Sequence, residues 1–275
     1  MNIGLLIQLL TISVLLSLIA GYTSTYASIS RSEFLVVTIS HAVLAGLAIL
    51  LYISNMLHIN VSELHMWITS LLVAILTCAA LTSIREHEEK ELIVALVFAL
   101  TLSIAALFMA LLPGYMIARM WSFLTGNILL TTPEDMFMLF IICLVCCTLY
   151  TFYYREFILV SYDMEYALST GISARAILYL LSILISIAVL ACVYIVGLFV
   201  SYAILMIPGT VLAKARFRIR EMIITSTVTV FIALLLSTLI ALKTNVPPSG
   251  LCGICICILT SLTFIIRIIA ERRSP

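Results

Sequence analysis

The chain has 275 residues, of which 64% are hydrophobic and 10% charged, and its net charge is +1. With a mean hydropathy of +1.28, this composition excludes water as the main environment, because a soluble domain of this size cannot bury so much apolar surface. The small net charge gives no indication of a nucleic-acid partner or an acidic substrate.

Apolar runs of about 20 residues recur along the chain, and this length suits membrane-spanning helices rather than barrel strands. The sequence predicts an all-α fold: one polytopic transmembrane helical bundle over residues 1–275. Its first span lacks the basic region and cleavage site of a signal peptide, so we expect it to be retained. A long apolar tract divides into two spans at Gly197, which favours nine spans over eight. The predicted spans are 4–22, 34–53, 66–84, 92–112, 136–154, 176–195, 197–213, 222–242 and 251–270.

The basic residues indicate the orientation of the chain. If Arg155 and Arg175 are cytoplasmic, alternation of nine spans leaves only Arg119 and Lys243 of the 14 basic residues on the other side. Cytoplasmic loops of membrane proteins carry this excess of positive charge. We therefore expect a multi-pass protein of the cell membrane with an external amino terminus and a cytoplasmic carboxyl terminus.

His41 lies within the second span, in the segment TISHAVLAG of residues 38–46. An imidazole is costly in lipid, so it should face protein or a water-filled path, where a neutral ring can bind a metal ion. Thr38, one helical turn earlier, shares this face and is a weaker candidate ligand. A histidine bonded to a neighbouring helix is an equally compatible interpretation.

The external loop after the second span contains His58, Glu63 and His65. These side chains can contact a cation, although such residues in a polar loop are more often only solvated. The charge cluster REHEEKE of residues 85–91 is predicted to be a solvated helix end on the cytoplasmic side.

A short capped helix is predicted between the fifth and sixth spans. Asp163 is its N-cap, Glu165 lies in its first turn, and Gly171 supplies the left-handed residue that ends it. It is either a docking element for a partner or a simple interfacial turn.

Pro208 and Gly209 interrupt the seventh predicted span, in SYAILMIPGTVLA of residues 201–213. A proline in a membrane helix frees backbone groups that protein or water must pair. The pair therefore marks either a bend along a transport pathway or a packing kink, and packing is the commoner cause.

Several chemistries are missing from the sequence. None of the three lysines follows a phosphate-binding glycine loop, so the chain is not expected to bind nucleotide or any other cofactor. Carboxylates are absent from the span interiors, which disfavours coupling to protons or sodium. The eight cysteines, including the C-x-x-C pairs at residues 143/146 and 252/255, lie in apolar runs and are interpreted as small hydrophobic residues.

Five stretches, in order, resemble the membrane permease subunits of ATP-binding-cassette (ABC) importers for zinc and manganese. They are SHAVLAG (40–46), LTGNILLTTPEDMFML (124–139), YREFILVSYDMEYALSTGI (154–172), VGLFVSYAILMIPGTVLA (196–213) and PPSG (247–250). The resemblance implies a homodimer, a cytoplasmic ATPase on each copy and an external metal-binding lipoprotein. It also implies that residues 163–171, with Asp163, Glu165, Ala167 and Gly171, form a coupling helix, and that His41 binds the transported ion.

The sequence departs from this family at one position. The family usually carries an aspartate four residues before the histidine, where this chain has Val37. Valine at this position means that the chain lacks the hard anionic ligand that an aspartate would supply. The expected function is an importer permease for a divalent metal, either zinc or manganese and possibly iron, with a chelate or small organic solute as the alternative cargo. A membrane-embedded enzyme or a scaffold is the third hypothesis, which the scarcity of polar groups in the spans disfavours.

Overall fold

The computed structural model describes residues 3–84, 87–126, 128, 131–244 and 246–273, and within them every regular element is a helix. The predicted all-α class is therefore confirmed. In chain order the helices are α1 (Ile3–Ile29), α2 (Glu33–Met56), α3 (Glu63–Thr82), α4 (His87–Leu111), α5 (Gly114–Thr125), α6 (Pro133–Phe152), α7 (Tyr154–Tyr162), α8 (Met164–Ser169), α9 (Ala174–Val196), α10 (Leu198–Lys214), α11 (Ile219–Thr244) and α12 (Pro248–Arg273).

Among the described residues, eight helices are long and apolar enough to cross a membrane, and α10 is a shorter apolar helix of 17 residues. These nine helices correspond to the nine predicted spans. Large apolar side chains such as Leu76, Leu96 and Ile266 remain exposed on them. Such surfaces are expected where lipid rather than water surrounds the helices.

The bundle has a buried centre and a lipid-facing periphery. Helix α10 packs against α1, α2, α9, α11 and α12, while α2 packs against α3 and α4. In the most apolar stretch of α2, 78% of the residues are buried, whereas only 17% are buried in the corresponding stretch of α4. The helix that carries His41 therefore lies inside the protein.

Two glycines allow the α9–α10 hairpin to contact the end of α5, on the side of the bundle predicted to be external. Gly197 ends α9 and begins α10 with φ +91 and ψ 161, which confirms the predicted hairpin point. Gly126, which ends α5, has φ +68 and ψ 155. A β-carbon on Gly197 would collide with the backbone of residues 125 and 126, and one on Gly126 with the backbone of residues 196 and 197. The hairpin and the α5 terminus are thus in direct backbone contact.

The structure corrects the sequence prediction in several places. Helices α5 and α7 were not predicted, and α1 continues to Ile29 rather than ending at residue 22. Pro208 and Gly209 do not end a helix, because α10 continues through them, so the predicted interruption is a proline within a continuous helix. Arg85 of the charge cluster and Asn127 of the LTGNILL segment lie outside the described residues, as do the side chains of residues 87–90.

Candidate functional site

His41 is held between two neighbouring helices in the interior of the bundle. Its ring is 8% exposed. It meets Phe98 of α4 edge to face, with centroids 4.8 Å apart, and stacks on Tyr202 of α10 at 5.6 Å. Aromatic neighbours on both sides fix the orientation of the imidazole.

The hydrogen bonds of His41 involve its own helix and Tyr202 of α10. Nδ1 lies 3.0 Å from the carbonyl oxygen of Val37, one turn earlier in α2. The Tyr202 hydroxyl is 2.9 Å from Nδ1 and 3.1 Å from Nε2, so it lies beside both ring nitrogens. In the tautomer where Nδ1–H donates to Val37, Nε2 is the nitrogen with a free lone pair, and it can accept from the tyrosine hydroxyl or bind a metal ion.

Other metal-binding groups do not gather around this histidine. The hydroxyl of Thr38 is buried and donates to the carbonyl oxygen of Phe34 at 3.0 Å, a bond within its own helix. No group of three His, Cys, Asp or Glu side chains suited to a metal ion occurs in the described part of the chain. One copy thus offers a single strong ligand, His41, with the Tyr202 hydroxyl beside it.

The three residues of the predicted external cluster are not gathered as metal ligands in the part of the chain that the structure describes. Glu63, at the start of α3, pairs with Arg119 of α5. His65 Nδ1 lies 2.5 Å from the hydroxyl of Ser62, and His58 has a φ of +53 in an exposed position. The three residues were grouped because they are close in sequence, but Glu63 and His65 have different partners and His58 is exposed.

The capped segment has the predicted local structure. The Asp163 carboxylate accepts a hydrogen bond of 2.9 Å from the Tyr166 N–H, and Gly171 has φ +80 just past α8. Helix α8 packs against α7 and α9, and its Ala167 is fully buried, whereas Glu165 is exposed. The cap and the glycine define a short helix that presents its outer face to solvent.

The outer face of α8 is apolar as well as exposed. Tyr166 and Leu168 of α8 are 56% and 51% exposed, Tyr162 at the end of α7 is 69% exposed, and the exposed Glu165 lies next to them in the sequence. Exposed aromatic and aliphatic side chains grouped around a charged residue are typical of a protein-binding surface.

Pro208 and Gly209 contact α1. Proline has no N–H, so it leaves the carbonyl of Ile204 without its usual helical donor. The N–H of Gly209 donates to the hydroxyl of Ser24 at 2.6 Å, and a β-carbon on Gly209 would collide with the Ser24 backbone. These contacts favour the packing interpretation, while a role of the pair along a transport pathway stays a prediction.

An aromatic cluster joins α1, α6 and α7. Tyr150 stacks on Tyr22 and Tyr26, with centroids 5.7 and 5.1 Å apart, and Phe157 meets Tyr26 edge to face at 5.5 Å. Tyr26, Tyr150 and Phe157 are fully buried. Tyr26 of α1 contacts Phe157 of α7, and Ser24 of the same helix accepts a hydrogen bond from Gly209 of α10. Helix α1 therefore connects α7 to α10 through direct contacts.

Sequence reasoning missed Tyr202 as a partner of His41. A tyrosine within an apolar span needs a hydrogen-bond partner for its hydroxyl, and this requirement was the one signal in the sequence that could have pointed to Tyr202. The identity of that partner depends on how α10 packs against α2, which the spacing of residues does not show.

The long apolar helices among the described residues identify a multi-pass membrane protein, and the buried imidazole of His41 within it is typical of a transport protein. Residues 2–271 match the ABC 3 transport family. The chain therefore belongs to that family of transporter permease subunits, as the resemblance predicted.

Curated relatives and a solved structure agree with this assignment. A Chlamydia muridarum protein named "Probable metal transport system membrane protein" is 23% identical over 260 residues, covering 94% of this chain and 88% of the relative. The manganese transport system membrane protein MntC of Halalkalibacterium halodurans is 24% identical over 204 residues, with coverages of 74% and 66%. A chain of PsaBC from Streptococcus pneumoniae in complex with Fab has a TM-score of 0.78 at 18% identity, covering 96% of this chain and 92% of that one, and so shares the fold.

Proposed function

We propose that this chain is the permease subunit of an ABC importer that moves a divalent metal ion across the cell membrane by alternating access. The observation that carries the proposal is the buried His41, whose two ring nitrogens both lie within 3.1 Å of the Tyr202 hydroxyl of α10. Ionisable residues inside a membrane protein are rare, and substrate and ion pathways are among the places where they occur.

A second copy of the chain supplies the ligands that one copy lacks. A divalent ion binds four or more donor atoms, and one imidazole cannot hold it alone. In a two-fold symmetric dimer, each residue near the axis is presented twice. Two copies of His41 and Tyr202 then provide two nitrogens and two hydroxyl groups at one level of the membrane.

Energy comes from a separate cytoplasmic ATPase bound at α8. Support comes from the exposed side chains of Tyr162, Tyr166 and Leu168 around the short helix. ATP-driven approach of two ATPases would displace α8, and the aromatic cluster would pass this motion through α1 to α10. An external metal-binding lipoprotein would deliver the ion to the opposite end.

The type of ligand atoms at the site determines which metal ion it prefers. Imidazole nitrogen suits zinc and iron, whereas carboxylate oxygen suits manganese. With Val37 in place of a carboxylate, the chemistry of this chain favours zinc, although MntC is named for manganese. Replacing Val37 by Asp is expected to raise manganese uptake relative to zinc uptake.

The test is uptake of radioactive zinc and manganese by cells that lack other importers and express the complete transporter. We expect His41→Ala to reduce uptake at least tenfold and Tyr202→Phe to reduce it less. His58→Ala, an exposed external histidine, is the matched control and should transport normally. Uptake by the His41 variant above half of the unmodified rate would refute the proposal.

Coupling is tested separately. Tryptophan at Glu165 or Gly171 should leave ATP hydrolysis in place and abolish transport, because the bulky side chain alters the outer face of α8. Neither position has a close neighbour in this chain that would clash, since both are exposed and Gly171 has open space around it. Because Gly171 has φ +80, tryptophan there also strains the backbone, so Gly171→Ala, which should transport normally, is the control for that strain. Normal transport by both variants would exclude α8 as the coupling element.

A chelate or small organic solute is the second candidate cargo, favoured by Val37 and by the single strong ligand in each copy. Such a cargo brings its own metal ligands, so uptake would not depend on the imidazole. Transport of a metal chelate by His41→Ala at the unmodified rate, with no uptake of the bare ion, would establish this alternative.

A further inference from the structure

A cavity opens between α1, α6, α7 and α11 at the end of the bundle that carries α8. Its volume is about 460 Å³, and Arg155 and Arg220 line it together with Tyr22, Thr151 and Tyr154. The hydroxyls of Tyr22 and Thr151 lie 3.2 Å apart within it. The site combines two cations with hydroxyl donors, which is the set of groups that binds a phosphoryl group.

The cavity carries a net positive charge, with two arginines and one glutamate in its lining. Glu156 also lines it, but neither arginine comes within ion-pair distance of a carboxylate among the residues that the structure describes. The Arg220 guanidinium lies 5.9 Å from the centre of the Tyr154 ring. Both arginines are exposed at the cavity mouth, so their charge is available to a ligand.

The neighbouring sequence adds to this charge. The segment KARFRIR of residues 214–220, between α10 and α11, alternates basic and apolar residues. Lys214, Arg216, Arg218 and Arg220 are exposed, whereas Ala215 is buried and Phe217 and Ile219 are half-buried. Basic clusters beside a membrane span are attracted to anionic lipid headgroups.

The cavity continues into a lipid-facing surface. Phe152 and Ile224, which form part of its wall, are 74% and 64% exposed, and Val228 one turn further along α11 is 49% exposed. A molecule with its phosphate between the arginines can lay its acyl chains along these side chains. A free phosphate ion has no group that would use this apolar surface.

We propose that this cavity binds the headgroup of an anionic phospholipid, with Arg155 and Arg220 on the phosphate and the acyl chains against α6 and α11. Because α7 carries Arg155 and leads into α8, the bound lipid lies beside the segment proposed to receive the ATPase. The site requires only a phosphodiester and a negative headgroup, so phosphatidylglycerol is a suitable probe.

The experiment is native mass spectrometry of the purified chain titrated with phosphatidylglycerol, with phosphatidylcholine as the neutral lipid. We expect Arg155→Gln and Arg220→Gln each to weaken phosphatidylglycerol binding about fivefold and the double variant about 25-fold, from the usual contribution of one basic residue near an anionic surface. Arg175→Gln, an exposed basic residue at the same end but outside the cavity, should bind normally.

Two further measurements separate the possible ligands. Inorganic phosphate added at the same concentration should not displace the lipid, and full displacement would assign the cavity to soluble phosphate and overturn the lipid site. Phosphatidylglycerol should raise the melting temperature of the unmodified chain but not of the double variant. Equal binding by the double variant and the unmodified chain would overturn the proposal entirely.

Discussion

Replacing Gly197 by alanine tests the backbone contact between the α9–α10 hairpin and the α5 terminus. The added β-carbon would lie 2.6 Å from the carbonyl carbon of Thr125, closer than real β-carbons approach any heavy atom. The backbone at this position, with φ +91 and ψ 161, is also one that essentially only glycine adopts. The substitution therefore combines strain with a collision between two rigid segments.

The expected loss follows from these two terms. Holding alanine in this backbone region costs about 1–3 kcal/mol. Forcing a methyl group into packed backbone costs about another 1–3 kcal/mol. The free energy of unfolding should therefore fall by about 2–6 kcal/mol, a large part of the stability of an ordinary protein.

The assay is reversible unfolding in mixed detergent micelles, followed by tryptophan fluorescence. Gly171→Ala is the matched control, because Gly171 has φ +80 but nothing within 4 Å, so it tests backbone strain without a collision. Its cost should be about 1–2 kcal/mol. Gly253→Ala, in open space within α12, should increase the free energy of unfolding, by at most about 1 kcal/mol. If Gly197→Ala is no less stable than Gly171→Ala, the proposed backbone contact is wrong.

Three more experiments have defined outcomes. Ser24→Ala removes the acceptor of the buried Gly209 N–H and should cost about 1–3 kcal/mol in the same unfolding assay. The pair of Glu63 and Arg119 is about 40% exposed, so a double-mutant cycle should give a coupling energy below about 1 kcal/mol. Asp163→Ala removes the cap of α8 and should cost about 1 kcal/mol locally, seen as faster hydrogen exchange in α8 with an unchanged global transition.

The crossing helices were predictable because lipid imposes one requirement on every span. Each must be apolar for about 20 residues and must satisfy its own backbone hydrogen bonds. The α8 cap was predictable for a similar reason, since Asp163 and Gly171 act through local backbone geometry. Helix α5 was not, because its 12 residues are too few for a span and its apolar side chains Met120 and Phe123 depend on packing against the bundle.

The surroundings of His41 required the three-dimensional structure. The sequence indicates that a histidine in a span needs a partner, but it does not distinguish a metal ion from a neighbouring helix. Tyr202 lies 161 positions away in the chain. The residues predicted as an external cation contact show the opposite case, because His58, Glu63 and His65 are close in sequence but are not gathered as metal ligands among the described residues.

The shortness of α10 affects how the protein responds to bilayer thickness. Its 17 residues extend about 25 Å, less than the roughly 30 Å of a typical hydrocarbon core. A short helix in contact with lipid would thin the membrane around it. Here α1, α9, α11 and α12, of 23 to 27 residues, pack against α10. These longer neighbours should take up most of the hydrophobic mismatch, so α10 should thin the bilayer less than a helix of its length would alone in lipid.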